Sequence, residues 1–106
     1  MPAIREFLQK NGPNAMPAAL VEAIALATEA SLRAVDDAGL KTADIDGVIT
    51  YFHNQDTIAP RQLVQALGLQ DCSYQMMSGL GGGWACAAVA SAAMAIHAGL
   101  CRNVLV

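Results

Sequence analysis

The stretch that decides the fold covers residues 76–99 and reads MMSGLGGGWACAAVASAAMAIHAG. A glycine cluster leads directly into an alanine-rich segment, with Cys86 near the junction. No charged residue occurs between Asp71 and Arg102, so this segment has no side suited to face water. We therefore predict a glycine turn followed by a helix over 84–98 that packs between layers of structure or against another subunit.

The residues outside this stretch predict helices that alternate with strands. The predicted elements, in chain order, are a helix over 20–38 ended by Gly39, a strand over 46–52, a helix from Pro60 to Gly68, a strand over 73–77, the helix over 84–98 and a strand over 103–106. Apolar residues at three- and four-residue steps indicate the first helix, and β-branched and aromatic residues indicate its following strand. This alternation implies an α/β layer fold with a parallel sheet, whose ligands bind at the carboxyl ends of the strands.

The composition indicates that something outside these residues completes the core. The chain has 106 residues, of which 55% are hydrophobic and 14% are charged, which is richer in apolar residues than an ordinary domain. A chain of this length that folds alone buries roughly 65% of its unfolded surface. We therefore expect the chain to be a fragment or an obligate oligomer. The sequence shows no internal repeat, and we expect a single domain.

The charge pattern excludes some classes of function. The net charge is −3 and the six basic residues are scattered, which argues against nucleic-acid binding. Charged residues near the amino terminus interrupt any signal-peptide core, so a cytoplasmic protein is expected. The uncharged stretch is too rich in Ala, Gly and Ser for a membrane span.

The three cysteines predict reduced thiols. Cys72, Cys86 and Cys101 are odd in number and lie 14 and 15 residues apart. Such spacing fits neither a disulfide framework nor the paired cysteines of a zinc site. We expect no metal site.

The glycine turn is compatible with more than one chemistry. Glycine N–H groups at a helix N-terminus bind phosphate, but GLGGGW lacks the full dinucleotide and phosphate-loop motifs. Cys86, one turn into the helix, is a candidate nucleophile because a helix N-terminus favours the thiolate. The alternative is that Cys86 is a small buried apolar residue. His53, in a polar loop after a strand, is either a substrate contact or a solvated loop residue.

Three segments carry a family resemblance. SLRAVDDAGLKTADIDGVITYF, RQLVQALGL and GGGWACAAVASAAMAIHAGLCRNVLV occur in this order, and they resemble the N-terminal part of the thiolase superfamily. More narrowly, they resemble its lipid-transfer-protein branch, often labelled acetyl-CoA acetyltransferase, which includes aldolases that shorten steroid side chains. The resemblance covers about residues 20–106 and implies a thiolase-like layered fold with a mostly parallel, mixed sheet and a buried central helix. Residues 1–106 would be a partial N-terminal domain, with 1–16 an uncertain extension and the C-terminal half absent.

The resemblance also implies site residues. It places the nucleophilic cysteine of thiolases on Gly82, so the nucleophile is absent here and the role is not transferred to Cys86. It also places the catalytic acid and base in the C-terminal half of such enzymes. Because glycine N–H groups can act as donors to a thioester enolate, we hypothesise that Gly81, Gly82 and Gly83 shape an acyl-thioester pocket.

We therefore expect a thiolase-like enzyme chain that acts on acyl-CoA, by aldol-type carbon–carbon cleavage rather than by cysteine-dependent acyl transfer. Two alternatives stay open: a non-catalytic acyl-CoA-binding, lipid-binding or interaction fragment, and an acetyl-CoA acyltransferase that uses Cys86. The coenzyme A thioester would be the substrate, with no bound cofactor. The resemblance implies a homodimer and a small zinc-ribbon and OB-fold partner.

Overall fold

The computed structural model describes residues 17–52, 57–79 and 82–106. Its elements are α1 (Ala18–Asp37), a short 3-10 helix (Thr42–Asp44), β1 (Gly47–Tyr51), α2 (Pro60–Leu67), β2 (Tyr74–Ser78), α3 (Gly83–His97) and β3 (Val104–Leu105). The predicted alternation of helices and strands is confirmed, with boundaries that differ from the predicted ones by one or two residues.

The three described strands form one parallel sheet in the order β2-β1-β3. β1 pairs with β2 along its whole length, from Gly47 opposite Tyr74 onwards, whereas β3 pairs only with Gly47 and Val48. A Cβ on Gly47 would lie 3.0 Å from Val104 Cγ2, so a side chain at residue 47 would require Val104 to shift where β1 and β3 approach each other. The predicted α/β fold with a parallel sheet is confirmed.

Helices cover both faces of the sheet. Successive residues of β1 point to opposite faces: Val48 packs with Ile24 of α1 and Leu63 of α2, and Ile49 packs with Ala88 and Ala92 of α3. The result is a three-layer arrangement with α1 and α2 on one side and α3 on the other.

Helix α1 has the amphipathic pattern and the end that its sequence predicts. Its buried residues include Val21, Ile24 and Val35, which lie on one side of the helix. Gly39 adopts a φ of 72°, a left-handed conformation that glycine tolerates best. Leu40 N–H then donates to the Val35 carbonyl at 3.0 Å. This bond stops the helix and turns the chain towards β1.

Helix α3 is covered on one side only by the described residues. Ala88, Ala92 and Ala95 are buried, and the small side chains of Ala88 and Ala92 permit a close approach to the sheet. On the other side Val89 is 61% exposed and Met94 is 64% exposed. The sheet therefore covers one side of α3, as predicted. A second layer on the outer side of this helix stays a prediction.

Candidate functional site

The candidate site lies where β2 ends and α3 begins, at the carboxyl edge of the sheet. β1 ends at Tyr51 and β2 ends at Ser78, which are partners in the sheet register. Parallel α/β sheets bind ligands at this edge because their loops and helix N-termini converge there. The glycine turn between β2 and α3 thus occupies the position that the sequence predicts for a binding site. Gly81 and His53 lie outside the described residues.

Gly82 and Gly83, the described glycines next to α3, leave open space at the start of this helix. Among the described residues, a Cβ added to Gly82 or Gly83 would meet no atom within 4 Å other than those of its chain neighbours and of its own helix backbone. The first backbone N–H groups of a helix have no partner inside the helix, and the helix dipole gives this end a partial positive charge. An oxygen atom that carries negative charge would be stabilised in this space.

Ser78, Gly79 and Trp84 fix the geometry of the turn. The Ser78 hydroxyl is buried and donates to the Trp84 carbonyl at 2.8 Å. The Trp84 ring lies against Gly79, where a Cβ would come within 3.1 Å of its Cδ2 atom. A side chain at residue 79 would displace the indole. The sequence carries no local signal for this arrangement, because it depends on contacts across the turn.

Cys86 is exposed, so the interpretation of Cys86 as a small buried apolar residue is wrong. The physical reason is that α3 meets the sheet along the stripe of Ala88, Ala92 and Ala95, and Cys86 lies outside that stripe. Its thiol is accessible, four residues after Gly82 on the same side of the helix.

The other two cysteines lie at the opposite edge of the sheet, before β2 and β3. Cys72 is half-buried and Cys101 is buried. Burial raises the pKa of both thiols, and the negative charge of Asp46 raises the pKa of Cys101 further. A raised pKa lowers the thiolate fraction, so neither thiol is suited to nucleophilic attack.

A shallow cavity of about 270 Å³ adjoins the carboxyl end of β1 on the opposite face of the sheet from α3. It lies between β1, α1 and β3, and its lining is mostly apolar. The Thr50 hydroxyl beside it is buried and has no hydrogen-bond partner among the described residues. The sequence contained no signal for this cavity, because its walls come from separate elements.

The described part of the chain contains no cluster of three His, Cys, Asp or Glu side chains arranged to hold a metal ion. None of its helices combines the length and the apolar character that a membrane crossing requires.

Comparison with known proteins finds two relatives. The chain is 38% identical over 80 residues to a steroid side-chain-cleaving aldolase of Thermomonospora curvata, a match that covers 76% of this chain and 20% of the relative. It is 40% identical over 75 residues to a 17-hydroxy-3-oxo-4-pregnene-20-carboxyl-CoA lyase of Mycobacterium tuberculosis, covering 71% of this chain and 19% of the relative. No protein-family model and no solved structure matches the chain.

These relatives confirm part of the resemblance. Both are named for bond cleavage, one as an aldolase and the other as a lyase of a CoA thioester. The chain spans about a fifth of the length of the curated relatives it matches. Membership of the thiolase superfamily stays a prediction, as do acyltransferase activity and the dimer.

Proposed function

We propose that this chain is part of an enzyme that cleaves a carbon–carbon bond in the side chain of a steroid-type acyl-CoA thioester by a retro-aldol reaction. The observation that carries the proposal is the similarity to an aldolase and a CoA-thioester lyase at 38% and 40% identity. The glycine turn at the start of α3 offers the matching chemistry.

The reaction needs a base and a group that stabilises an enolate. A base removes the proton of the β-hydroxyl group, the bond between the α and β carbons breaks, and its electron pair moves into the thioester as an enolate. The products are a ketone and, after protonation of the enolate, a shortened acyl-CoA. We assign enolate stabilisation to the N–H groups around Gly82 and Gly83, since preorganised donors act where charge develops. By the resemblance, the acid and base lie in the part of the relatives that this chain does not span.

Gly82 favours cleavage over acyl transfer. The resemblance places the thiolase nucleophile at this residue, and a glycine cannot form the acyl-enzyme that acyl transfer requires. A retro-aldol cleavage needs no covalent attachment. The open space next to Gly82 leaves room for the thioester carbonyl.

The test of the proposal uses the native gene product and a steroid β-hydroxyacyl-CoA thioester. Mass spectrometry should detect the steroid ketone and the shortened acyl-CoA in equal amounts. Gly82→Leu should lower turnover by roughly 100-fold or more, because its side chain fills the space in front of the N–H donors. Ala43→Leu, which adds the same kind of side chain at an exposed residue of the short 3-10 helix before β1, should keep wild-type turnover.

Absence of both products would overturn the proposal, and wild-type turnover of Gly82→Leu would remove the assigned role of the turn. Binding of the thioester without cleavage would favour the non-catalytic alternative. The Cys86 thiol is exposed, so the acyltransferase alternative can also be tested. In that case the enzyme would transfer an acyl group to CoA, and Cys86→Ser would abolish this transfer.

The proposal includes the further expectations of the resemblance. The CoA thioester is the substrate and no cofactor is bound. The enzyme works as a cytoplasmic homodimer, with a small zinc-ribbon and OB-fold partner. The exposed outer side of α3 supports association with further protein, because it offers an apolar surface that such protein would cover.

A further inference from the structure

We infer that Trp84 is the substrate-contacting aromatic residue of this site, and that the free face of its indole receives the apolar fused rings of the steroid thioester. This inference rests on the proposed function. It assigns a specificity-determining role to a residue that takes no part in the proposed enolate stabilisation by the glycine N–H groups.

The position of Trp84 supports this role. Trp84 is the second residue of α3 and directly follows Gly82 and Gly83, whose N–H groups would hold the thioester oxygen. Side chains of a helix lean towards its N-terminus, and the Trp84 ring lies against Gly79 at the end of β2, so a ligand whose thioester oxygen lies at these N–H groups has its acyl chain within reach of the indole. Both features lie at the carboxyl edge of the sheet, where parallel α/β folds bind ligands.

The indole is held in place before any ligand binds. Its ring packs on Gly79, and its backbone carbonyl accepts the hydrogen bond from the buried Ser78 hydroxyl. The hydrogen bond fixes the backbone of Trp84, and the contact with Gly79 restricts one side of its ring, so the ring loses less conformational freedom on binding and more of the contact energy appears as affinity. An unrestrained surface tryptophan would not have this advantage.

The exposure of Trp84 sets it apart from the other aromatic residues. Trp84 is 52% exposed, whereas the other described aromatic residues, Tyr51, Phe52 and Tyr74, are half-buried. An indole offers a large apolar area whose burial is strongly favourable. The chemistry that fits it is a rigid apolar ring system, which the name of the 17-hydroxy-3-oxo-4-pregnene-20-carboxyl-CoA lyase specifies for that relative.

The chain offers a direct measurement because Trp84 is its single tryptophan. The 106-residue protein is titrated with 17-hydroxy-3-oxo-4-pregnene-20-carboxyl-CoA, with acetyl-CoA and with free CoA. The steroid thioester should shift the tryptophan emission to shorter wavelength and protect it from acrylamide quenching, because the ring displaces water from the indole. Acetyl-CoA and CoA should leave the emission unchanged, since they carry no ring to contact Trp84.

Variants measured by calorimetry complete the test. Trp84→Ala should weaken binding of the steroid thioester roughly ten-fold, and Trp84→Phe should retain most of the affinity. Leu100→Ala is the matched control: Leu100 is 55% exposed beyond the far end of α3, so this variant should bind as the wild type does. Urea unfolding of each variant shows whether the fold is retained.

Three results would overturn the inference: no calorimetric binding of the steroid thioester, binding without a change in tryptophan emission, or an equal change with acetyl-CoA. The test is separate from that of the proposed function. Ring contact at Trp84 without cleavage by the native gene product leaves the inference standing and removes the lyase activity. Cleavage by the native gene product, together with unchanged steroid binding by Trp84→Ala, would support the lyase activity and overturn the role of Trp84.

Discussion

Single residues of the same type have different properties in this molecule according to their surroundings. Cys86 is exposed on α3, whereas Cys101 is buried beside β1 and Cys72 is half-buried. Burial raises the pKa of the Cys72 and Cys101 thiols and also hinders access to them. Because alkylation needs an accessible thiolate, the three thiols should react at different rates.

We predict that iodoacetamide modifies Cys86 first, with Cys72 and Cys101 slower by roughly ten-fold or more. Peptide mass spectrometry of the chain alkylated at pH 8 gives the three rates. Cys86→Ser should remove the fast phase, and unfolding in urea should make the remaining rates similar. Equal rates at Cys86 and Cys101 in the folded chain would contradict the described burial.

At the scale of elements, Asp46 joins the beginnings of the three strands. Its carboxylate accepts hydrogen bonds from the backbone N–H groups of Arg102 at 2.9 Å and Asn103 at 2.8 Å, just before β3. Its backbone carbonyl accepts from Tyr74 N–H at the start of β2, at 3.2 Å. One residue thus sets the relative positions of β1, β2 and β3 at this edge of the sheet.

We predict that Asp46→Asn lowers the free energy of unfolding by about 1–2 kcal/mol, since the neutral amide offers a single oxygen and no charge to the two N–H donors. Urea denaturation at pH 7 measures the change. Asp71→Asn removes a carboxylate from an exposed residue before β2 and should change the stability by less than about 0.5 kcal/mol. Equal effects of the two substitutions would contradict the role of Asp46.

The same carboxylate predicts a pH dependence. Desolvation acts to raise the pKa of Asp46, but the N–H groups of Asn103 and Arg102 outweigh it and hold the pKa below its ordinary value of 3.8. The stabilisation is therefore complete above pH values near 3.8 and is lost as the pH falls through the lowered pKa. Between pH 5 and pH 2, the wild type should lose more stability than Asp46→Asn.

At the scale of the whole molecule, the apolar residues exceed what the described fold buries. Helix α3 carries no charged side chain other than that of His97 when protonated, and the residues that the described part of the chain buries on it are Ala88, Ala92 and Ala95. The outer side, which includes Val89 and Met94, therefore presents an apolar surface. A surface of this kind promotes association in water.

We predict that Val89→Lys together with Met94→Lys reduces concentration-dependent association of the chain, with the free energy of unfolding changed by about 0.5 kcal/mol or less per substitution. Sedimentation velocity over a range of concentrations measures this. Leu26→Lys is the matched control: Leu26 is 61% exposed, as Val89 is, but lies on α1. An equal reduction by Leu26→Lys would show that added charge, and not this side of α3, causes the effect.

Much of the fold and part of the site were determined by local sequence. Apolar periodicity, Pro60 at the start of α2 and glycines after the helices specified the order of elements, because these signals act within a few residues along the chain. The glycine turn between β2 and α3 was evident for the same reason. Parallel strands then placed that turn at the edge where ligands bind.

Only the tertiary structure decided which surroundings each side chain has. The sequence left open whether Cys86 is accessible or buried, because the pattern of a uniformly apolar helix does not encode its rotation. In the fold, Ala88 and Ala92 face the sheet and Cys86 is exposed. The hydrogen bond from Ser78 to Trp84 forms because the chain folds back at the glycine turn. The hydrogen bonds of Asp46 form because residues 102 and 103, distant in sequence, lie next to it in the fold. Sequence determined the elements because their signals are local, and packing determined the contacts because they are not.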